Sequence, residues 1–127
     1  MADPSLIGPA IYKLISSKYP CFDGIAPSGT ELPFVIYQHM GGGDENKTSV
    51  RSLNEVWQVT ARARERATAD AMDSAIDQAL HLGKIASAGW HDVDIQREQR
   101  VRLVEVDDEG RVVYSAGAMY RIRVCEK

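Results

Sequence analysis

The sequence predicts an α+β fold: a mainly antiparallel sheet, with an N-terminal helix and one central helix packed on one face. Two observations predict this class. Two segments repeat apolar residues at helical spacing, whereas several others alternate apolar and polar residues as strands do. Their order along the chain is helix, strands, helix, strands. A chain of 127 residues is expected to form a single domain, residues 1–127.

The first element is a predicted helix whose apolar residues recur at helical spacing: Ile7, Ala10, Ile11 and Leu14. Its start lies either at Pro4 or at Pro9, because proline fits the first turn of a helix but not its interior. Pro20 ends the helix, since the residue before a proline is pushed out of the helical conformation.

The next elements are a loop and a strand. Residues 21–33 are loop-like with a short strand predicted at 24–26, and the apolar run 34–38 predicts a strand entered through Pro33. A glycine run and a polar segment follow. We predict that they form a flexible loop that contacts a partner and becomes ordered with it: Gly41, Gly42, Gly43, Asp44, Glu45, Asn46 and Lys47.

The clearest strand spans residues 54–64, where apolar and polar residues alternate from Trp57 onwards. Thr68 is the predicted cap of a helix over residues 69–82. The side of this helix that carries Asp70, Asp73 and Asp77 is predicted to be solvated.

Three strands are predicted after the second helix. The first spans residues 90–106 and has a bend or bulge near 97–99. The sequence of residues 107–110, Asp-Asp-Glu-Gly, predicts a hairpin turn. Strands at 111–115 and 118–124 follow it.

Composition and charge exclude several classes. The chain has 15 basic and 18 acidic residues, a net charge of −3, which gives no electrostatic footprint for nucleic acid. No apolar run approaches the ~20 residues needed to span a bilayer. The N-terminal segment lacks the basic region of a signal peptide. Cys21 and Cys125 are expected to be reduced thiols, with a disulfide as the alternative. We therefore expect a soluble intracellular protein with no membrane partner.

No motif indicates catalysis. His39, His81 and His91 have no second ligand at zinc spacing, and neither cysteine has a nearby base. The glycine run lacks the Lys-Ser/Thr of a phosphate-binding loop. Asp92 and Asp94 alternate on one strand face, which favours a solvated face over a cation site. The sequence predicts no catalytic site, no cofactor and no bound metal.

The arginines are more informative. Ten of the fifteen basic residues are arginines, and nine of those ten lie on or beside predicted strands. The planar guanidinium suits fixed, bidentate contacts at interfaces, but the same pattern fits surface ion pairs worth under ~1 kcal/mol each. The candidate interface residues are the sheet arginines Arg62, Arg64 and Arg66 and the acidic turn Asp107, Asp108 and Glu109, with the helix face Asp70, Asp73 and Asp77 as the alternative acidic patch.

Several segments carry a resemblance to a known family. They are the helix LIGPAIYKLI, the proline-led strand 32–37, the run 55–63 leading into an alanine-rich helix, and the hairpin 107–110 that closes on strand 120–124. Together they resemble the tail completion, or tail terminator, proteins of long-tailed bacteriophages and related tail-like particles, over nearly the whole chain.

The resemblance implies a structural subunit, not an enzyme, that forms a ring, typically a hexamer. Such a ring terminates the tail tube and joins it to the head connector. The implied partners are further copies of the chain, the tail tube protein and the head-tail connector protein, and DNA passes through without specific binding. The implied location is the host cytoplasm during assembly, then the virion or tail particle. The alternatives are a non-phage α+β ligand-binding or scaffolding domain, and a small hydrolase with an unrecognised site.

Overall fold

A computed structural model describes residues 7–46, 51–82 and 90–126. This part of the chain contains, in order, α1 (Ile7–Ser16), β1 (Cys21–Asp23), β2 (Phe34–Asn46), β3 (Arg51–Ala63), α2 (Arg66–Leu82), β4 (Trp90–Val106) and β5 (Val112–Glu126). Neither described helix is long and apolar enough to cross a membrane.

The five strands form one sheet in the order β1-β2-β3-β5-β4. β1 pairs with β2 in parallel, and all other neighbours are antiparallel. β3 is the central strand, and it is separated in the chain from its neighbour β5 by α2 and β4. The centre of the sheet therefore forms from distant segments. The predicted α+β class with a mainly antiparallel sheet is confirmed.

The core lies between one face of the sheet and the two helices. Its buried residues alternate along β3 and β5 and recur at helical spacing in α1 and α2: Ile7, Ile11, Ile15, Val59, Ala61, Met72, Ile76, Leu80, Ala118, Tyr120 and Ile122. α1 packs against β1 and β2, and α2 packs against β3, β5 and, to a smaller extent, β4. This face is called the helical face below, and the other the open face.

β2 is longer than predicted. Beyond a bulge between His39 and Gly41, residues 41–46 continue the strand and pair with β3 as far as Asn46 opposite Arg51. The predicted loop is therefore wrong for residues 41–46, and Lys47 lies outside the described residues. Glycine and polar residues have low strand propensity, but here a long neighbouring strand supplies their hydrogen bonds. That these residues contact a partner stays a prediction.

Other boundaries differ more modestly. β1 lies at Cys21–Asp23 rather than at 24–26, and α2 begins at Arg66, so that Thr68 lies inside the helix rather than capping it. β5 is one strand where two were predicted. It continues through Gly117, which pairs with both neighbouring strands, and the β3 backbone lies so close there that no side chain would fit. The span of β4 and its bulge after Arg97 are confirmed.

The start of α1 is placed only in part. Within the described residues the helix begins at Ile7, which puts Pro9 in its first turn, where the missing N–H leaves no hydrogen bond unmade. Pro4, the other predicted start, lies outside the described residues.

Candidate functional site

The cleft between α2 and β4 holds a network of ion pairs. Arg97, at the β4 bulge, donates from Nη2 to Asp73 Oδ2 (2.7 Å), and its Nη1 lies 3.6 Å from Asp77 Oδ1. The Tyr120 hydroxyl accepts a hydrogen bond from Arg97 Nη1 (3.2 Å) and donates one to Asp77 Oδ1 (3.1 Å). The hydrogen bond to Asp73 raises the pKa of Arg97, and burial raises the pKa of Tyr120. At neutral pH the arginine is charged and the tyrosine is protonated.

The acidic side of α2 therefore faces β4. Its prediction as a solvated face is wrong for Asp73, which is 19% exposed, whereas Asp70 and Asp77 remain 47% and 41% exposed. Arg102 Nη2 donates to Asp70 Oδ1 (3.1 Å), which adds a third acidic residue to the paired set. Periodicity identifies the side of a helix that avoids the core, but not the strand that lies beside it. The cleft has a volume of about 540 Å³ and is lined mostly by charged side chains. One of these, Arg100, has no ion-pair partner among the described side chains.

A second group of charges lies at the end of the β4–β5 hairpin. We call it the hairpin-end cluster: Arg62, Arg64, Glu105, Asp107, Glu109 and Arg111. Arg64 Nη1 lies 2.8 Å from Asp107 Oδ2. Asp107 Oδ1 accepts hydrogen bonds from the backbone amides of Arg111 (2.9 Å) and Glu109 (3.0 Å). The Arg111 amide, followed by the Arg64 side chain, lowers the pKa of Asp107.

This cluster brings together residues that the sequence assigns to two separate interface patches. Arg64 and Asp107, one from each patch, pair within one chain. Arg62 Nη2 lies 3.5 Å from Glu105 Oε2, so it also has a partner in its own chain. Arg66 was predicted on the same sheet face, but this is wrong: it is the first residue of α2, and its guanidinium lies over the Tyr114 ring at 4.9 Å.

Asp108, the remaining member of the predicted acidic patch, is exposed at the hairpin turn. It makes no ion pair with any side chain that the structure describes. The role of all six predicted residues toward a neighbouring copy stays a prediction.

A smaller cavity of about 300 Å³ lies between the start of α1 and strands β2 and β3. In it, His39 Nε2 lies 2.7 Å from Glu55 Oε2, and the imidazole stacks on the Trp57 ring at 4.9 Å between centroids. Asp23 also lines this cavity. Among the described residues that line this cavity, none carries a hydroxyl or thiol side chain beside the His–Glu pair.

The sequence reasoning missed both the Arg97 network and the His39–Glu55 pair. The predicted bulge near 97–99 locates Arg97, but its partners come from α2 and β5, and the strand order that joins them was not predicted. Within the described residues, no group of three histidine, cysteine or acidic side chains could hold a metal ion. Cys21 and Cys125 are free thiols, and burial raises the pKa of Cys21.

The comparison with known families is decisive. A family model described as Tail completion protein gp17 matches residues 9–124 of the chain. The chain belongs to this tail completion protein family. The fold is also similar to that of a chain in a solved structure titled "Virion of native gene transfer agent (GTA) particle". That match has a TM-score of 0.72 and 15% sequence identity, and covers 96% of this chain and 98% of the other. No curated protein matches the sequence.

The family identifies the chain as a structural protein of a phage-like tail. The resemblance seen in the sequence is thereby confirmed. A tail completion protein does not belong to a class of enzymes. The ion-pair networks described above join elements of one chain.

Proposed function

We propose that copies of this tail completion protein form a closed ring, typically a hexamer, that terminates the tail tube and joins it to the head connector. The observation that carries the proposal is the family match over residues 9–124. The partners are the tail tube protein and the head-tail connector protein, and DNA passes through the ring without specific binding. The ring assembles in the host cytoplasm and remains in the virion or tail particle.

The charge of the chain is compatible with this role. A net charge of −3 gives no overall electrostatic attraction for DNA phosphates, which is compatible with DNA that passes without specific binding. The arginines of the described strands are mostly engaged by carboxylates of the same chain, as Arg62 is by Glu105 and Arg97 by Asp73. Such pairs leave little free positive charge to bind a nucleic acid.

A closed ring needs a heterologous contact, in which one patch meets a different patch of the next copy. We propose that the hairpin-end cluster takes part in this contact as a unit. Because Arg64 and Asp107 already pair within the chain, they would present a fixed charge pattern to the neighbour rather than meet across the interface. Asp108 is exposed at the same turn and is available to a cation of the next copy.

A charge-reversal experiment tests the role of this cluster. Reversing Arg62 and Arg64 to Glu is expected to leave the chain folded by circular dichroism while preventing ring formation or attachment to tails. The control is the exchange Arg62→Glu with Glu105→Arg, which keeps an ion pair inside the chain and leaves the backbone hydrogen bonds to Asp107 in place. If the cluster contacts a neighbour, the exchange still impairs assembly, whereas full recovery would show that Arg62 acts only within its own chain.

We also propose that the end of the β2–β3 hairpin contacts a partner. Hydrogen exchange at residues 41–46 should slow when the chain is assembled on tails. Equal protection in the free and assembled chain would contradict this.

A reconstitution experiment tests the function itself. Heads and tails prepared without this chain should remain separate, and adding the purified chain should yield joined particles visible by electron microscopy. If joined particles form equally well without the chain, it does not connect heads to tails.

A further inference from the structure

The sheet ends on two strands whose outer edges have no neighbour among the described strands: β1 and β4. An open edge presents unpaired backbone N–H and C=O groups and is a template for pairing with another chain unless bulges, prolines or charges block it. β4 has register shifts between Asp92 and Asp94 and between Arg97 and Arg100. From Arg100 to Val106 its register with β5 is unbroken. Residues 100–106 are therefore the regular part of this edge.

The pairing register shows which residue of the β1 edge lies in the same row of the sheet as which residue of the β4 edge. One row of directly paired residues runs across the whole sheet: Asp23, Tyr37, Val59, Ala118 and Arg100. Directly paired residues of neighbouring strands point to the same face, so Asp23 and Arg100 both lie on the helical face, at opposite ends of one row. The next row in the same direction ends on Phe22 and Val101.

The strand directions also fit. β1 runs parallel to β2, and β4 runs antiparallel to β5, which has the direction of β2. β1 and β4 therefore run in opposite directions. If a second copy is placed beside the first by rotation about an axis parallel to the strands, its β1 lies antiparallel to β4 of the first copy. No strand has to be reversed for the sheets to join.

The two edges carry opposite charges. Asp23 and Arg100 are both exposed, and neither makes an ion pair with any described side chain. Several other arginines are paired, such as Arg97 with Asp73 and Arg102 with Asp70. Oppositely charged residues directly opposite each other on neighbouring strands stabilise the pairing and oppose a shifted register.

The β4 edge also exposes apolar side chains that its own chain does not cover. Leu103 on the open face is 51% exposed, and Val104 and Val106 on the helical face are 56% and 66% exposed. α2 reaches β4 through the Arg97 and Arg102 ion pairs but leaves Val104 and Val106 exposed. A neighbouring sheet that brings its own α1 alongside would cover this edge from both faces.

We propose that the β1 edge of one copy pairs with the β4 edge of the next, antiparallel, with Asp23 opposite Arg100, so that the sheets of the ring form one continuous band. The inference rests on the proposed ring and names the contact that closes it. The occupant of the β4 edge is a second copy of this chain. The contact is head to tail, as a closed ring requires.

Charge exchange between Asp23 and Arg100 is the test. Arg100→Asp and Asp23→Arg, made singly, place like charges across every contact, and each should abolish the ring at concentrations where the unchanged chain is fully assembled. The double variant restores opposite charges and should recover it. The matched control is Gln78→Arg, which adds a charge at an exposed position of α2, outside both edge strands and the hairpin-end cluster, and should assemble normally. Native mass spectrometry measures the ring, and circular dichroism checks that each variant is folded.

A second measurement covers the case in which the ring forms only on tails. A variant with Asp23→Cys and Arg100→Cys, made with Cys21→Ala and Cys125→Ala, is oxidised while bound to tails. The proposal predicts a ladder of disulfide-linked multimers on a non-reducing gel. Assembled chains that stay monomeric on that gel, or single charge variants that form normal rings, would overturn the β1–β4 contact and leave the ring intact. Failure of the unchanged chain to form rings or bind tails would instead overturn the proposed function.

Discussion

The Arg97 network provides the sharpest test of the folding argument. Arg97→Met keeps the apolar stem of the side chain but removes the guanidinium from Asp73, Asp77 and the Tyr120 hydroxyl. Breaking a fully buried ion pair costs about 3–5 kcal/mol, whereas an exposed pair contributes about 0–1 kcal/mol. The Arg97 and Asp73 side chains are 23% and 19% exposed, nearer the buried limit. We therefore expect a loss of about 2–3 kcal/mol in the free energy of unfolding.

The measurement is urea unfolding followed by circular dichroism. For a domain of this size the loss corresponds to a decrease in Tm of roughly 8–12 °C. Arg102→Met is the matched control, because its pair with Asp70 joins the same two elements but its side chains are 48% and 47% exposed. The free energy of unfolding of the control should fall by less than about 1 kcal/mol.

A double variant separates an unpaired charge from lost packing. Arg97→Met combined with Asp73→Leu removes the arginine together with its more buried partner, while Asp77 keeps the hydrogen bond from Tyr120, so the double variant should be more stable than Arg97→Met alone. If Arg97→Met and Arg102→Met lower the free energy of unfolding by the same amount, burial does not determine the strength of these ion pairs and the reasoning is wrong.

Three further predictions concern the fold. Gly117→Ala should destabilise the protein by at least about 1–3 kcal/mol in the same unfolding assay, because a Cβ at this position would overlap the β3 backbone; a change below 0.5 kcal/mol, roughly the spread of neutral surface substitutions, would contradict that close approach. The pKa of Asp107 is lowered in the folded chain by the Arg111 amide and Arg64, so its contribution to stability is present above about pH 4 and is lost as the pH falls through the folded pKa. NMR titration of the Asp107 carboxyl should show this lowered pKa, and Asp107→Asn should remove that part of the acid dependence. Cys21 is buried with a raised pKa, so it should react with a thiol reagent only as fast as the protein unfolds, and labelling at the rate of an exposed thiol would show that it is accessible.

Much of the fold was predictable because local patterns determine it. The alternation from Trp57 to Ala63 and the helical spacing in α2 each identify the side that faces the core, and burial confirms both. The bulge in β4 lies where a bend or bulge was predicted, and it moves the odd-numbered apolar residues from the helical face at Ile95 to the open face at Leu103.

What the sequence did not predict depends on neighbours distant in the chain. Residues 41–46 are paired because β3 extends beside them, although their composition favours a loop. Asp73 is paired because β4 brings Arg97 beside α2, although its position on the helix is that of a solvated residue. The row that joins Asp23 to Arg100 exists only once the strand order is known.

The position of the protein on a tail tests the central claim most directly. Purified particles labelled with an antibody against this chain can be imaged by electron microscopy, and the copies per tail can be counted by quantitative mass spectrometry. A tail completion ring predicts label at one end of the tube, where it meets the head, in the number of copies of a single ring. Label distributed along the tube, or absent from intact particles, would contradict the claim.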